Sequence, residues 1–144
     1  MTFAALLLTL QAVTQVIPPA PAVPPASPAV PSLPADWSQL PIPRWKVTPV
    51  YDSEMARFVV EESKAGRCAA AERDGDDNRI RVDLALLVGP AGRVRTIIPR
   101  AIGCATVEQY TAGLMSRIAR DNIQPSEGEA AWYRASVTFT WSAQ

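Results

Sequence analysis

Two cysteines, Cys68 and Cys104, are the residues with the most specific chemistry in this sequence. They have no CxxC spacing and no histidine beside them, so they cannot fill a tetrahedral zinc site. In an oxidising compartment two such thiols pair, and closing a loop of about 36 residues stabilises a fold by ~4 kcal/mol on the chain-entropy model. We therefore expect a Cys68–Cys104 disulfide and no metal; two buried free thiols are the alternative.

Acid, base and nucleophile candidates are few. The 144 residues contain no histidine, the commonest general base and metal ligand, which disfavours most triad and metal chemistries. Ser126, Glu127 and Glu129 share a loop, but no base, activated nucleophile or oxyanion signature accompanies them. The adjacent carboxylates of Glu61 and Glu62 are typical of a solvated helix face. We expect a protein that is not an enzyme and that has no catalytic residue and no cofactor.

Charge and length exclude other classes of protein. Lys plus Arg number 14 and Asp plus Glu number 14, so the formal net charge is zero. Such a chain has no long-range attraction for nucleic acid or for an anionic membrane surface. The length leaves room for one domain. We therefore expect no nucleic-acid partner and no second domain.

The N-terminal third differs in composition from the rest. Residues 1–17 are uncharged and largely apolar, which indicates a signal peptide or a short membrane anchor, and hence an exported protein. Ten prolines follow in residues 18–43, and they favour an extended polyproline II linker over 18–50. A disordered leader without a spacer role is the alternative. Trp37 and Trp45 could pin the end of this linker onto the folded domain.

The folded domain is expected over residues 51–143, and it begins with a helix. Asp52 and Ser53 are N-cap candidates, and apolar residues at helical spacing follow them until Gly66. This pattern predicts a helix over 53–65.

Strand periodicity comes next. The charged, turn-rich stretch 71–79 predicts an exposed loop. From Ile80 apolar residues alternate with polar ones, and beyond the turn at 89–92 a second strand continues to Pro99. The alternation predicts an antiparallel hairpin over 80–99.

A second helix and a last strand complete the domain. Thr106 and Gln109 have the spacing of a capping box, and the apolar stripe after them predicts a helix over 106–120. Residues 132–141 alternate between apolar and polar side chains, which predicts a strand. Two helices covering one face of this small antiparallel sheet would make an α+β two-layer sandwich.

Taken in order, these segments resemble the C-terminal domain of the TonB family. The resemblance lies in Gly92-Arg93-Val94 at the start of the second strand, Ala101-Ile102-Gly103 before the second helix, Ile123-Gln124-Pro125 at the corner after it, and the last strand from Tyr133 to Trp141. The apolar, proline-rich N-terminus also matches the family's whole-chain layout.

The resemblance implies a mode of binding. TonB-like domains offer the edge of their sheet, including the last strand, to an extended peptide of an outer-membrane receptor, and an edge strand has unpaired N–H and C=O groups for such pairing. The binding residues expected on this basis are Tyr133, Arg134, Ser136, Thr138 and Thr140. The expected partner is a peptide of an envelope protein or outer-membrane receptor in the periplasm, with a link to TonB-dependent transport.

Other functions stay open. TonB proteins couple to their proton-driven motor through a histidine in the membrane helix, and this sequence has no histidine, so the resemblance does not extend to energised transport. A TolA-like structural or envelope-assembly protein, whose helices meet the partner, is the alternative. A purely structural last strand, a membrane association through the N-terminus and a homodimer are further alternatives.

Overall fold

The computed structural model describes residues 16–27 and 29–143. In chain order the elements are α1 (Ser53–Lys64), β1 (Glu72–Asp74), β2 (Asp77–Val88), β3 (Val94–Pro99), α2 (Ala105–Ala119) and β4 (Ala131–Ser142). The four strands form one antiparallel sheet and the helices pack on one face of it. The small α+β fold expected from the sequence is confirmed. All but the last two residues of the predicted signal peptide or anchor lie outside the described part.

The strand β2 is the centre of the sheet. It pairs with β4 along all 12 of its residues. On its other side β2 pairs with β1 near its start and with β3 near its end. Within the described part of the chain, β4 is therefore an edge strand along its whole length, and β1 and β3 share the opposite edge.

Alternating side chains of β2 and β4 build the core, as the periodicity predicts. The inward residues at most 1% exposed are Ile80, Val82, Leu84 and Leu86 on β2 and Val137 and Phe139 on β4. The helix α1 packs against β4, and α2 packs against β3. Tyr110 of α2 joins the layers, because its ring lies 4.8 Å from that of Phe58 and 6.2 Å from that of Phe139.

The disulfide joins the two helices. Cys68 follows α1 and Cys104 is the N-cap of α2, and their sulfur atoms are bonded. The predicted capping box is wrong, because α2 begins one residue before Thr106. Glu108 instead accepts the backbone N–H groups of Ile102 and Cys104 at 2.8 and 3.1 Å. A disulfide fits an oxidising environment. None of the helices in residues 16–27 and 29–143 is long and apolar enough to cross a bilayer.

Glu62 corrects the expectation of a solvated face on α1, because only 8% of its side chain is exposed. The disulfide holds the chain after α1 against the start of α2, so that two donors reach this carboxylate. Arg67 donates to Oε1 through Nε at 3.0 Å and Nη2 at 2.7 Å, and the Thr106 hydroxyl donates to Oε2 at 2.9 Å. The hydrogen bonds from Arg67 and Thr106 hold the pKa of Glu62 below its ordinary value of 4.5.

The stretch 71–79 is a tight hairpin and not the predicted exposed loop. Asp74 pairs with Asp77, so the turn contains only Gly75 and Asp76. Gly75 has a φ of 62°, which suits a two-residue turn with glycine in its first position. The strand was not predicted because all three residues of β1 are charged and exposed, so they show no alternation between apolar and polar side chains.

The corner after α2, at Ile123-Gln124-Pro125, contacts distant parts of the chain. Gly92, with a φ of 75°, packs so closely on Ile123 that an added Cβ would clash with the Ile123 carbonyl oxygen. Ser126 N–H donates to the Pro90 carbonyl at 2.9 Å. Two of the segments that carry the TonB resemblance, around Gly92 and Ile123, therefore contact each other.

The predicted linker divides into two parts. The described residues before Pro31 are exposed, whereas Pro31, Leu33, Trp37, Leu40, Pro43 and Trp45 are buried or half-buried. Trp45 forms a β-bridge with Ile123, and the backbones of Arg44 and Lys46 bond to the corner at 2.8 and 2.7 Å. Contacts with the domain thus begin well before the expected boundary at residue 51.

We expect Glu62→Gln to lower the free energy of unfolding at neutral pH and to flatten its dependence on pH. The folded pKa of Glu62 lies below its unfolded value near 4.5, so the stabilisation is present above that pH and is lost as the pH falls through the folded pKa. Urea unfolding at pH 7 and at about pH 3 measures it. Glu61→Gln, an exposed neighbour, is the control; equal effects of the two variants would contradict the expectation.

We expect Gly92→Ala to destabilise the fold by roughly 2–4 kcal/mol, because it combines left-handed backbone strain with a clash against the Ile123 carbonyl. Gly66→Ala is the matched control. Gly66 has a φ of 72° and nothing within 4 Å of its added Cβ, so it reports the backbone strain of about 1–2 kcal/mol alone. Denaturant unfolding curves give the free energy of unfolding of the two variants. Equal losses of stability would show that the chain at Ile123 moves to accommodate the added Cβ.

Candidate binding edge of the sheet

The outward side of β4 follows from one hydrogen bond. The backbone N–H of Arg134 donates to the Pro41 carbonyl at 2.9 Å, away from β2. Because N–H and C=O groups alternate in direction along a strand, the even-numbered residues of β4 face the free edge and the odd-numbered ones pair with β2. The bond from Ala143 N–H to the Asp76 carbonyl, toward the β2 side, fits this alternation.

The open part of this edge runs through Ser136, Thr138 and Thr140. Within the described ranges, the outward backbone groups of these residues have no backbone partner outside the sheet. Their side chains lie on the face of the sheet opposite the helices, and those of Thr138 and Thr140 are exposed. Residues 136–141 contain neither proline nor a charged side chain, the features that usually protect an edge strand from pairing.

A polar cluster supports the start of the open edge. The Ser136 hydroxyl donates to Asp83 Oδ1, and Arg81 donates to Asp83 through Nε and to Ser136 Oγ through Nη2. Burial raises the pKa of Asp83, but the hydrogen bonds from Ser136 and Arg81, together with the charges of Arg81 and Arg100, hold it below its ordinary value. Asp83 therefore stays ionised and fixes the orientation of Ser136.

The residues expected to bind fall into three groups. Ser136, Thr138 and Thr140 share the open edge. Arg134 shares the edge, but its N–H is already bonded. Tyr133 does not belong with them, because it pairs with Leu86 of β2 and its side chain packs against the core on the helix side.

Residues 31–43, which we call the cover segment, lie over the first half of β4. Trp132 Nε1 donates to the Pro31 carbonyl at 2.7 Å, and Arg134 Nε donates to the Leu40 carbonyl at 3.0 Å. The Arg100 guanidinium lies 4.2 Å from the centre of the Trp37 ring. Sequence reasoning placed Trp37 near the domain but missed the contacts of Leu40 and Pro41 with β4. An aromatic residue among prolines was the only signal.

The cover segment also explains burial on the outer face of the sheet. Ala85 and Leu87 point away from the helices, yet they are 0% and 3% exposed. They lie in register with Arg134 and Trp132, the two β4 residues that bond to the cover segment. This half of the outer face is therefore a second, smaller apolar contact.

The opposite edge is a poorer docking surface. The strand β3 has only six residues, ends in Pro99 and carries a bulge opposite Leu87 and Val88. A cleft of about 510 Å³ lies between β3 and α2, and Arg93, Arg95 and Arg120 are among its lining residues. Proline, a bulge and charged side chains protect an edge from strand pairing.

In residues 16–27 and 29–143 no group of three or more His, Cys, Asp or Glu side chains could hold a metal ion. Ser126, Glu127 and Glu129 lie on the irregular chain between α2 and β4. Ser126 bonds to Pro90 through its backbone N–H. The arrangement offers main-chain hydrogen bonding, which suits binding.

Comparison with known proteins identifies no relative: no family model matches the chain, and neither a curated protein nor a solved structure matches it.

We expect hydrogen exchange to alternate along β4. The amides of Val137 and Phe139 pair with β2 and should exchange slowly, whereas those of Thr138 and Thr140 face solvent and should exchange at least about tenfold faster. Arg134, bonded to Pro41, should be protected. NMR-detected exchange measures these five amides and that of Ser136; uniform protection from 132 to 141 would mean that this edge is not open.

Proposed function

We propose that this chain is an exported protein-binding module that resembles the TonB C-terminal domain and pairs an extended peptide with the open edge of β4. The partner is a segment of an envelope or outer-membrane protein, and the site of action is the periplasm. The disulfide supports an oxidising compartment. The α+β frame is the kind of fold that the resemblance implies.

One observation carries the proposal. The second half of β4 has a regular row of outward backbone groups and lacks the protective features that β3 has. An incoming strand would bond to the outward N–H and C=O groups of Ser136, Thr138 and Thr140, which gives affinity without sequence preference. Preference would come from the outer face, where hydroxyl side chains favour small or polar partner residues.

A proline substitution can test strand addition directly. The Thr138 N–H points away from β2, so Thr138→Pro removes a donor to the partner while leaving the β2–β4 ladder bonds in place. Thr138→Ala keeps the N–H and is the matched control. The readout is photo-crosslinking in cells from a benzoylphenylalanine at position 140, with adducts identified by mass spectrometry.

We expect one predominant adduct in the parent chain and in Thr138→Ala, and at least about a tenfold loss in Thr138→Pro, because a removed partner bond and a ring at the edge both oppose pairing. Circular dichroism melts check folding. Ser136→Pro repeats the test if Thr138→Pro does not fold. Equal adduct in the proline and alanine variants would contradict strand addition. Adducts from a crosslinker at Arg117 on α2, with none from position 140, would favour the TolA-like alternative.

A further inference from the structure

The first half of the β4 edge already has an occupant. The cover segment takes the Arg134 N–H through the Pro41 carbonyl and binds the side chains of Trp132 and Arg134. A peptide pairing with all of β4 would need these positions. The occupant belongs to the same chain, so its local concentration is high even if each contact is weak.

The prolines of the cover segment limit how well it can pair. In an antiparallel ladder, the Arg134 C=O would accept a hydrogen bond from the N–H of the same residue whose C=O accepts from the Arg134 N–H. In a parallel ladder, it would accept from the N–H of the residue two positions further along the chain. Those residues are Pro41 and Pro43, and neither has an N–H to donate. The cover segment therefore supplies an acceptor at Arg134 but no donor, in either direction.

Packing beneath the cover segment is also incomplete. A cleft of about 400 Å³, lined among others by Trp37, Arg100 and Arg134, remains between it and the sheet. A second cleft of about 420 Å³ lies between Ile42, Trp45 and Ser136. These clefts interrupt the apolar contact between the segment and the sheet, so the polar contacts and Trp37 also contribute to holding the segment in place.

Trp37 is one side-chain anchor of the cover segment. The Asp36 carboxylate accepts from the Ser38 N–H at 2.8 Å and from its hydroxyl at 2.9 Å, and Leu40 N–H donates to the Trp37 carbonyl at 3.1 Å. This local turn presents the Trp37 ring to Arg100, 4.2 Å from the ring centre. Arg100 in turn donates its backbone N–H to the Asp83 carbonyl at 2.8 Å, which fixes it to β2.

We propose that the cover segment is a built-in, displaceable occupant of β4 that regulates access to the docking edge. It protects Trp132 and Arg134 until an extended peptide with backbone N–H groups at its pairing positions replaces it. Such a peptide enters at the open residues 136–140 and extends toward Arg134, because it makes both ladder bonds where the prolines make one. This inference rests on the proposed function, since it concerns the same edge.

The test uses the full chain with Trp37→Ala, and with Trp37→Phe as the control that keeps an aromatic ring over Arg100. Two readouts are compared: NMR-detected exchange of the Arg134 amide in the isolated protein, and adduct yield in cells from benzoylphenylalanine at position 140. Trp132→Phe, which removes the donor to Pro31, loosens the segment from its other end and provides an independent variant.

We expect Trp37→Ala and Trp132→Phe each to speed exchange of the Arg134 amide by about fivefold and to raise the adduct yield, while Trp37→Phe leaves both near the parent values. Exchange of the Val137 amide should be unchanged in all three variants, which shows that the sheet is intact.

Each contrary result has a separate meaning. Faster Arg134 exchange with an unchanged adduct yield would overturn the regulatory role but leave strand addition standing. If the Arg134 amide exchanged as fast as the Thr138 amide in the parent chain, this would contradict the claim that the cover segment occupies the first half of β4. A lack of adduct in the parent and in every variant would contradict the proposed function, and this inference with it.

Discussion

The pairing of β2 with β4 over 12 residues is the constraint on which the rest of the structure depends. It satisfies one side of β4 and leaves the other side without a strand partner. It also places the apolar faces of both strands on one side, where the helices can cover them. Because β1 and β3 share the other side of β2, no strand remains in the described chain to close the edge at β4.

The connections around this pair hold it in one geometry. The disulfide ties the chain after α1 to the start of α2, and the ionised Glu62 bonds across the same junction. At the other end of α2, the contact of Gly92 with Ile123 fixes the corner from which β4 departs. The free edge is therefore held by a cross-linked frame, which would reduce the ordering cost of the proposed peptide binding.

Sequence periodicity predicted the elements whose side chains alternate, and missed what depends on contacts between distant segments. The alternation from Ile80 and from residue 132 reports burial directly, so β2 and β4 were predicted within a few residues. Glu62 looked solvated because its partners, Arg67 and Thr106, reach it only through the folded junction. The hairpin at Gly75 was not predicted because the residues of β1 are charged and exposed. Proline content predicted an extended linker but neither the turn at Trp37 nor the place where the cover segment lies.

The same property of proline explains both the occupied half of β4 and its limits. A long edge strand is a hazard, because it pairs with other copies of the chain or with any extended segment. A proline-rich segment can shield such an edge and accept from it, yet it cannot donate and so cannot extend the sheet. In the proposed function, shielding that stops short of full pairing would protect Trp132 and Arg134 in the free protein. The unshielded row from Ser136 to Thr140 would then be open to a strand that can donate as well as accept.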